Sequence, residues 1–424
     1  MTDDTVQLKN PTGRGPHPLS LHVAGTTQNW LAAAAALPLF QLGGLQVHPS
    51  LKSQAADLHR DLGGQDLEAV QIEVMKQAQT RLKETLDGMT RYQNHPYRRN
   101  VPVMPLQESI GSSELRDYAP NSAPDAPLVL AVPSLVNPAY VLDLQENHSF
   151  LRCLADQGLH PYLLDWTLPG SEELTFDLEG YITQRLMPLI RRLHQHHGQK
   201  IHLVGYCMGG NLCLAAAQLL QEEGLLHSLT LMATPWDFHA DQPVHLPALT
   251  EKFIEIEAAS ALRAPTPVNI MQMFFYTLDP TLSDRKFRHF ATLDPDSDAA
   301  RHFVALEDWA NGENSIPATP QSARIPPLAP PVARDCLIKW YKHNQPHEKQ
   351  WKIAGQIIDP VTLRLPGRLI TPTRDRIVPP ASAKALIRLL PHFDHHVMEG
   401  GHVSMIAGQN AKDTLWREFA LYLK

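Results

Sequence analysis

The chain has 424 residues, of which 43% are hydrophobic and 19% are charged, and its formal net charge is −7. This length predicts one large domain with additions, or two domains. The hydrophobic share is enough for a sizeable buried core and excludes wholesale disorder. Because the net charge is negative, no basic field would attract a polyphosphate backbone, and nucleic acid is not expected as a partner.

Cysteine usage and the first residues indicate a protein of the cytoplasm. The four cysteines have neither CxxC spacing nor the density of a secreted disulfide scaffold; they are Cys153, Cys207, Cys213 and Cys336. Asp3 and Asp4 make the first residues acidic, where a signal peptide would be basic. The longest apolar run near them, residues 31–40, is short and contains Pro38. We therefore expect a cytoplasmic protein without a transmembrane segment.

The first hundred residues are predicted to be a mobile leader and a helical extension. Prolines and glycines are frequent in the first twenty residues, which is typical of a leader. From Asp66 onward, apolar residues recur at intervals of three and four along one helical stripe; they are Leu67, Val70, Val74, Ala78, Leu82, Leu86 and Met89. This stripe packs either on the domain that follows it or on a partner or hydrophobic surface. Pro96 lies close to the boundary that we place at residue 100.

Beyond this boundary, strands and helices alternate. Short apolar runs predict six buried strands, at residues 126–132, 160–165, 200–204, 228–233, 368–371 and 395–398. Helical patterns lie between them, notably at residues 174–194, with Gly198 as the stop, and at 212–220. Short buried strands separated by helices imply a mostly parallel sheet with helices on both faces. Residues 101–424 are therefore predicted to form one α/β domain.

The alternation is interrupted between about residues 239 and 366. Two proline-rich patches, at residues 243–267 and 317–331, lie within this stretch. A long insertion between two strands of an α/β sheet usually covers the site at the strand ends. We therefore predict a cap formed by this insertion.

The segment Gly205-Tyr206-Cys207-Met208-Gly209-Gly210 follows the predicted strand at 200–204 and has the form of a nucleophile elbow. Cysteine takes the place that serine usually occupies in this G-x-nucleophile-x-G turn. Cys207 would lie at the N-terminus of the next helix, and the backbone N–H of Met208 would be one oxyanion donor. The alternative is a buried cysteine in an ordinary strand-to-helix turn. The other three cysteines are predicted to be core residues.

An acid and a base follow two later strands. Asp375 comes after the predicted strand at 368–371, and His402 comes after the strand at 395–398. This is the chain order nucleophile, acid, histidine that the elbow requires. We therefore expect Asp375 to orient His402, and His402 to accept the proton of Cys207. The alternative is an unconnected surface aspartate and a loop histidine.

No cofactor or metal is expected. The sequence contains neither a GxGxxG motif after its first strand nor a P-loop motif. A group of histidines is interpreted as a solvated helix end rather than a metal cluster; its members are His194, His196 and His197.

With these motifs, the sequence resembles the polyhydroxyalkanoate synthases, which are acyltransferases of the α/β-hydrolase fold with a catalytic cysteine. Besides the elbow, the resemblance rests on VPSLVNPAYVLDL at 132–144, YLLDW at 162–166 and TPWDF at 234–238. It covers the chain from about residue 126 to the end. It implies that Cys207, Asp375 and His402 are catalytic, and that the backbone at Val136 supplies a second oxyanion donor. Arg376 departs from the family, whose members usually have histidine after the catalytic aspartate.

The resemblance implies polymerisation of 3-hydroxyacyl-CoA into polyester with release of CoA, through an acyl group on Cys207. The CoA thioester would be a substrate, and no cofactor would be needed. The implied partners are the growing polyester chain and a second copy of the chain or a second synthase subunit, with the cytoplasmic granule surface as location. Two other functions stay open: an intracellular polyester depolymerase or acyl-CoA thioesterase on the same fold, and a non-catalytic granule-associated subunit.

Overall fold

The computed structural model describes residues 14–47, 51–242, 246–260, 276, 279, 281–312 and 328–424. These residues form two compact units. The smaller unit comprises the described residues up to Pro96 together with Asp279–Val304, and the larger unit comprises Tyr97–Leu278 and Ala305–Lys424. In the described part of the chain, no helix combines the length and the apolar character needed to cross a membrane.

The smaller unit is helical. It contains the helices Leu19–Gln41, Lys52–Asp61, Leu67–Asn94 and Leu282–Thr292. The unit ends at Val304, within the helix Asp298–Ala310. The third helix begins where the sequence predicts, because the Asp66 carboxylate accepts hydrogen bonds from the N–H groups of Glu68 and Ala69. Only part of the predicted apolar stripe is buried: Ala78 and Met89 are buried, whereas Leu67 is exposed.

The buried face of Leu67–Asn94 packs against Leu282–Thr292 of the same unit. A Cβ atom on Gly88 would lie 2.7 Å from the carbonyl carbon of Phe287, so the two helices approach closely at this point. The Thr85 hydroxyl donates a hydrogen bond to Asp284 Oδ1 at 2.7 Å. The stripe is thus covered by a segment of the same chain that lies inside the predicted insertion at 239–366.

The larger unit is built on an eight-stranded sheet. The described residues of this unit contain ten strands, which in chain order are β1 Leu106–Ile110, β2 Ser113–Asp117, β3 Leu128–Val132, β4 His160–Asp165, β5 Ile201–Tyr206, β6 Leu226–Met232, β7 Lys352–Ile353, β8 Gln356–Ile357, β9 Gly367–Pro372 and β10 Asp394–Met398. The sheet order is β1-β2-β4-β3-β5-β6-β9-β10, and β7 and β8 form a separate hairpin. The pairs β1–β2 and β2–β4 are antiparallel, and all other pairs of the large sheet are parallel.

The prediction of a mostly parallel α/β sheet is confirmed. The six predicted strands correspond to β3, β4, β5, β6, β9 and β10, with small shifts at their ends. The sequence pattern missed β1 and β2. These strands form an antiparallel pair on one edge, and alternate residues of β2 are buried. Neither strand therefore contains the continuous apolar run that marks the central strands.

Helices cover both faces of the sheet. Alternate residues of each central strand point to opposite faces, and each face has its own hydrophobic core. Leu128 and Leu130 belong to one hydrophobic core, and Val129 and Ala131 belong to the other. The first core is covered by Leu178–Tyr181, Ile182–Leu186, Met187–His197, Met208–Leu220 and Pro380–Leu389, and the second by Phe150–Asp156, Ser404–Ala407, Lys412–Trp416 and Arg417–Tyr422. Gly198 ends Met187–His197 with φ of 68°, as predicted. Short helical turns are Ala139–Asp143, Glu173–Thr175, Gln221–Glu223 and Pro360–Thr362.

The predicted cap insertion contributes helices to the larger unit. These helices are Leu246–Ser260, Pro330–Arg334 and Asp335–Lys342, the last of which is π-helical. Leu246 and Phe253 of the first helix pack against Leu337 of the third in a small hydrophobic cluster. Much of both proline-rich patches, at residues 243–245, 261–267 and 317–327, lies outside the described residues.

Candidate active site

Cys207 occupies a sharp turn between β5 and the helix Met208–Leu220. Its backbone has φ of 56° and ψ of −130°, a conformation that is strained for a residue with a side chain. Two hydrogen bonds hold it: the Cys207 N–H donates to the Met232 carbonyl at 2.8 Å, and the Cys207 carbonyl accepts from the Gly210 N–H at 2.9 Å. The turn therefore has the form of the predicted nucleophile elbow.

The glycines of the elbow are required by close backbone contacts. A Cβ atom on Gly205 would lie 2.7 Å from the Gly210 nitrogen, and one on Gly209 would lie 2.6 Å from the Pro133 carbonyl oxygen. A Cβ atom on Gly210 would also collide with the side chain of Thr234. The three glycines thus let the helix that follows Cys207 approach β5, the end of β3 and the end of β6.

Asp375 and His402 meet at the carboxyl ends of β9 and β10. His402 Nδ1 and Asp375 Oδ2 are 2.6 Å apart. The other carboxylate oxygen, Oδ1, accepts hydrogen bonds from the N–H groups of Ile377 at 2.9 Å and Val378 at 2.8 Å. Both side chains are buried. The aspartate is therefore fixed by its own loop and in turn fixes one nitrogen of the imidazole.

The imidazole of His402 also interacts electrostatically with Cys207. Burial alone would lower the pKa of His402, because it disfavours the charged form. Electrostatic interactions with Cys207 and Asp375, together with hydrogen bonding to the ring, outweigh burial and raise this pKa well above its usual 6.5. The structure thus brings the three predicted residues together, with the imidazole of His402 hydrogen-bonded to Asp375 and interacting with Cys207.

The two predicted oxyanion donors differ in their surroundings. Met208 is the first residue of its helix, so its N–H has no partner within the helix. The Val136 N–H instead donates to the Ser134 hydroxyl at 3.1 Å. Ser134 Oγ lies 3.8 Å from Met208 Sδ, which brings the loop after β3 next to the elbow. Val136 could bind an oxyanion only by exchanging this partner, whereas Met208 needs no such change.

Two residues from the π-helical segment Asp335–Lys342 lie close to Cys207. Burial, with the charges of Asp335 and Cys207, raises the pKa of the Cys336 thiol. Burial, with the charges of Cys207 and Cys336, also raises the pKa of Tyr341. The cap insertion therefore contributes side chains to the hydrophobic core against which Cys207 packs. The sequence predicted Cys336 only as a core residue and did not single out Tyr341, because the irregular stretch around them contains no motif with a known chemistry.

The four cysteines divide as the sequence analysis predicts. Cys207 is half-buried, whereas Cys153, Cys213 and Cys336 are buried and none of the four forms a disulfide. Burial raises the pKa of Cys153 and raises that of Cys213 well above its usual value. The buried thiols are therefore held neutral within the cores.

The histidines at the end of Met187–His197 serve the local structure. His194 Nδ1 lies 2.8 Å from the Gln199 carbonyl oxygen, and His197 Nε2 lies 2.8 Å from the Tyr162 hydroxyl. Within the described ranges, no three side chains of the metal-binding types are grouped so that they could hold a metal ion.

Comparisons with known proteins identify the fold family of this chain. Residues 127–409, which include Cys207, Asp375 and His402, match the family described as alpha/beta hydrolase fold. The poly(3-hydroxyalkanoate) polymerase subunit PhaC of Allochromatium vinosum is 27% identical over 321 residues, which are 73% of this chain and 86% of the relative. The protein of that name from Haloferax mediterranei is 26% identical over 293 residues, which are 68% of this chain and 56% of the relative. Among solved structures, the thioesterase domain from the curacin biosynthetic pathway is 16% identical, with 76% of this chain and 99% of that chain covered and a TM-score of 0.43.

Proposed function

The chain belongs to the alpha/beta hydrolase fold family, and from this premise we propose that it is a polyhydroxyalkanoate synthase, which joins 3-hydroxyacyl units from CoA thioesters into a polyester. The observation that carries the proposal is the cysteine at the elbow, which interacts with a buried histidine that is itself hydrogen-bonded to a buried aspartate, in a chain similar to proteins named polymerases of these polyesters. Cys207, His402 and Asp375 are its proposed catalytic residues.

In the first half of the cycle, Cys207 takes the acyl group from CoA. The Cys207 sulfur attacks the thioester carbonyl, and the tetrahedral intermediate collapses with loss of the CoA thiolate. The imidazolium of His402 gives its proton to this leaving group, so that CoA departs as a free thiol and His402 becomes neutral. The Met208 N–H is placed to stabilise the oxyanion of the intermediate.

In the second half of the cycle, a 3-hydroxyl group replaces water as the nucleophile. Neutral His402 accepts the proton of this hydroxyl while its oxygen attacks the acyl group on Cys207. An ester bond forms, the sulfur leaves as an anion, and the cationic imidazole beside it is restored. Asp375 holds Nδ1 throughout, so that Nε2 faces the reacting groups.

Cysteine suits this reaction better than serine. Exchange of one thioester for another changes the free energy little, so the first step is reversible. Attack by a hydroxyl group then forms the more stable oxoester, so the second step favours chain growth. Burial of His402 and Asp375, and the proximity of Cys336 and Tyr341 to Cys207, support a site that limits the access of competing water.

A hydrolase is the main alternative, because a depolymerase or thioesterase could use the same three side chains with water as second nucleophile. Incubation with 3-hydroxybutyryl-CoA separates the two. We expect thiol release together with a precipitable polyester, and loss of both in Cys207→Ala. Thiol release with only free 3-hydroxybutyrate would instead identify a thioesterase.

A non-catalytic granule-associated subunit is the second alternative. The linked cysteine, histidine and aspartate argue against it, because a binding protein has no chemical need for all three at the strand ends. Absence of thiol release and of Cys207 acylation across 3-hydroxyacyl-CoA substrates of different length would favour this alternative.

We further propose that the synthase works in the cytoplasm at the granule surface, as a homodimer or with a second synthase subunit. Several leucines on the first two helices of the helical unit are exposed, including Leu31 and Leu39, which are each 54% exposed. Such side chains favour contact with an apolar surface. Gel filtration with and without 3-hydroxybutyryl-CoA tests the subunit association, and sedimentation with polyester granules tests the surface binding. A monomer in both conditions that stays in the supernatant would contradict this part of the proposal.

A further inference from the structure

Tyr206, the last residue of β5, contacts both the backbone and the ring of His402. Its hydroxyl donates a hydrogen bond to the His402 carbonyl oxygen at 3.0 Å. The two ring centroids are 5.4 Å apart, and the ring planes are inclined by 32°. Tyr206 is buried, with 4% of its surface exposed. Because Tyr206 directly precedes Cys207, this contact joins the strand of the cysteine to the loop of the histidine.

The loop that carries His402 needs such a connection. In the sheet, β6 and β9 lie between β5 and β10, so His402 reaches Cys207 across two strands. The residues before it are Gly400, with φ of 146°, and Gly401, and glycines constrain a backbone only weakly. Asp375 fixes Nδ1 of the ring but leaves the His402 main chain without a link to the elbow. Tyr206 supplies that link.

We propose that Tyr206 is a positioning residue that sets the distance between His402 Nε2 and the Cys207 sulfur. This inference rests on the proposed function in so far as His402 acts as the base of the reaction. Cys207 is joined to Tyr206 by a peptide bond, and the Tyr206 side chain is joined to the His402 main chain by one hydrogen bond. Loss of the hydroxyl frees the His402 carbonyl and lets the ring move away from the sulfur.

The chemistry of the phenol supports this role. Burial, with the charges of Cys207 and Asp375, raises the pKa of Tyr206 well above its usual 10. The hydroxyl therefore remains a hydrogen-bond donor throughout the pH range in which the enzyme would work. The titratable groups that face His402 are Asp375 at Nδ1, Cys207 across the imidazole and Tyr206 beside the ring.

The decisive variant is Tyr206→Phe, which keeps the ring in its core and removes only the hydroxyl. Tyr162→Phe is the matched control, because Tyr162 is also fully buried in the same sheet and its hydroxyl lies 2.8 Å from His197 Nε2. The rate at which iodoacetamide alkylates Cys207 is followed against pH by peptide mass, and thermal unfolding is followed in parallel. This readout needs no substrate and reports the contact between sulfur and imidazole.

For Tyr206→Phe we expect alkylation of Cys207 at pH 7 to slow by about 5- to 30-fold, because one hydrogen bond is lost and the imidazole is slightly displaced. The pH at which alkylation is half-maximal should move upward. In the synthase assay, kcat falls by a similar factor and KM stays within about twofold, because no substrate contact is lost. Tyr162→Phe is expected to keep the wild-type alkylation profile, although its unfolding temperature falls.

An alkylation profile of Tyr206→Phe identical to wild type would overturn the inference, even if the protein makes polymer. The same shift in both variants would also overturn it, because a general loss of stability would then explain the result. If the protein makes no polymer but only Tyr206→Phe shifts the profile, the positioning role stands and the proposed reaction fails. The two proposals therefore fail independently.

Discussion

At the scale of single residues, hydrogen bonds fix first the acid and then the base of the site. Backbone N–H groups hold Asp375, Asp375 holds His402, and His402 contacts Cys207. The sequence predicted these three residues because the elbow motif and the order of the later strand ends are local or nearly local patterns. It did not predict Tyr206 or Tyr341, because their importance arises from contacts with residues that are distant in sequence.

Substitution of the nucleophile tests the choice of cysteine. Cys207→Ser keeps the shape of the elbow but replaces the sulfur with a hydroxyl group, which is far less nucleophilic at neutral pH. We expect thiol release from 3-hydroxybutyryl-CoA to fall by at least about 100-fold. Cys336→Ser, the same change at the buried thiol near Cys207, should retain activity within a few-fold. Equal losses in the two variants would contradict the assignment.

Asp375→Asn tests the electrostatics of His402. This variant removes the carboxylate whose charge and hydrogen bond help to raise the pKa of His402, so this pKa should fall. We expect iodoacetamide to alkylate Cys207 at pH 7 at least about tenfold more slowly. Asp359→Asn is a suitable control, because the Asp359 carboxylate also accepts a backbone N–H, from Val361 at 3.2 Å, in another loop.

The same variant makes a prediction about stability and pH. The pKa of His402 is higher in the folded protein than the usual 6.5, so protonation of this residue stabilises the fold. This stabilisation is complete below about pH 6.5 and is lost as the pH rises through the raised pKa. The difference in unfolding temperature between wild type and Asp375→Asn should thus be largest near pH 6 and shrink towards pH 10. A constant difference across this range would contradict the charge argument.

At the scale of elements, the predicted parts of the fold are those whose hydrophobic pattern is continuous. The central strand β3 is buried at all five positions, and its apolar run is visible in the sequence. The edge strand β1 reads Leu-Gln-Glu-Ser-Ile and has no buried position, so no pattern marks it. The sequence pattern places residues 282–292 in the cap. Their packing against Leu67–Asn94 joins residues about 200 positions apart, and such a contact leaves no local pattern in the sequence.

The junction between the elbow and β3 makes a prediction about stability. Gly209→Ala places a Cβ atom 2.6 Å from the Pro133 carbonyl oxygen, and a backbone atom in a central strand end cannot easily move away. We expect a loss of about 2–4 kcal/mol in the free energy of unfolding, measured with urea. Gly401→Ala is the control near the same site, because its nearest contact would be an ordinary 3.5 Å. Comparable losses in both would argue against the steric explanation.

At the scale of the whole molecule, each of the two compact units has its own packed interior. The sheet unit has two large apolar cores, and the helical unit contains a buried carboxylate, Asp284, among three donors. Asp284 Oδ1 accepts from Thr85 at 2.7 Å and from Trp30 Nε1 at 2.9 Å, and Oδ2 lies 3.2 Å from Arg288 Nε. These residues come from three helices, so the carboxylate connects the helical unit internally.

Removal of this carboxylate should loosen the helical unit. Asp284→Ala leaves the buried hydroxyl of Thr85 without this acceptor, and we expect a loss of about 2–4 kcal/mol in local stability. Hydrogen exchange of the amides in Leu67–Asn94 measures this effect. Asp87→Ala is the control on the same helix, because its ion pair with Lys83 is exposed and should contribute less than about 1 kcal/mol. Unchanged exchange in Asp284→Ala would show that packing alone holds the helices.

The positive φ of Cys207 has a consequence for how this protein could evolve. A residue with a side chain pays conformational strain of about 1–3 kcal/mol in such a turn, whereas glycine adopts it without strain. Selection for heat resistance alone should therefore favour Cys207→Gly, a more robust but inert protein. A screen for a more heat-resistant catalyst must therefore select for activity at the same time, because selection for stability alone favours loss of the Cys207 side chain.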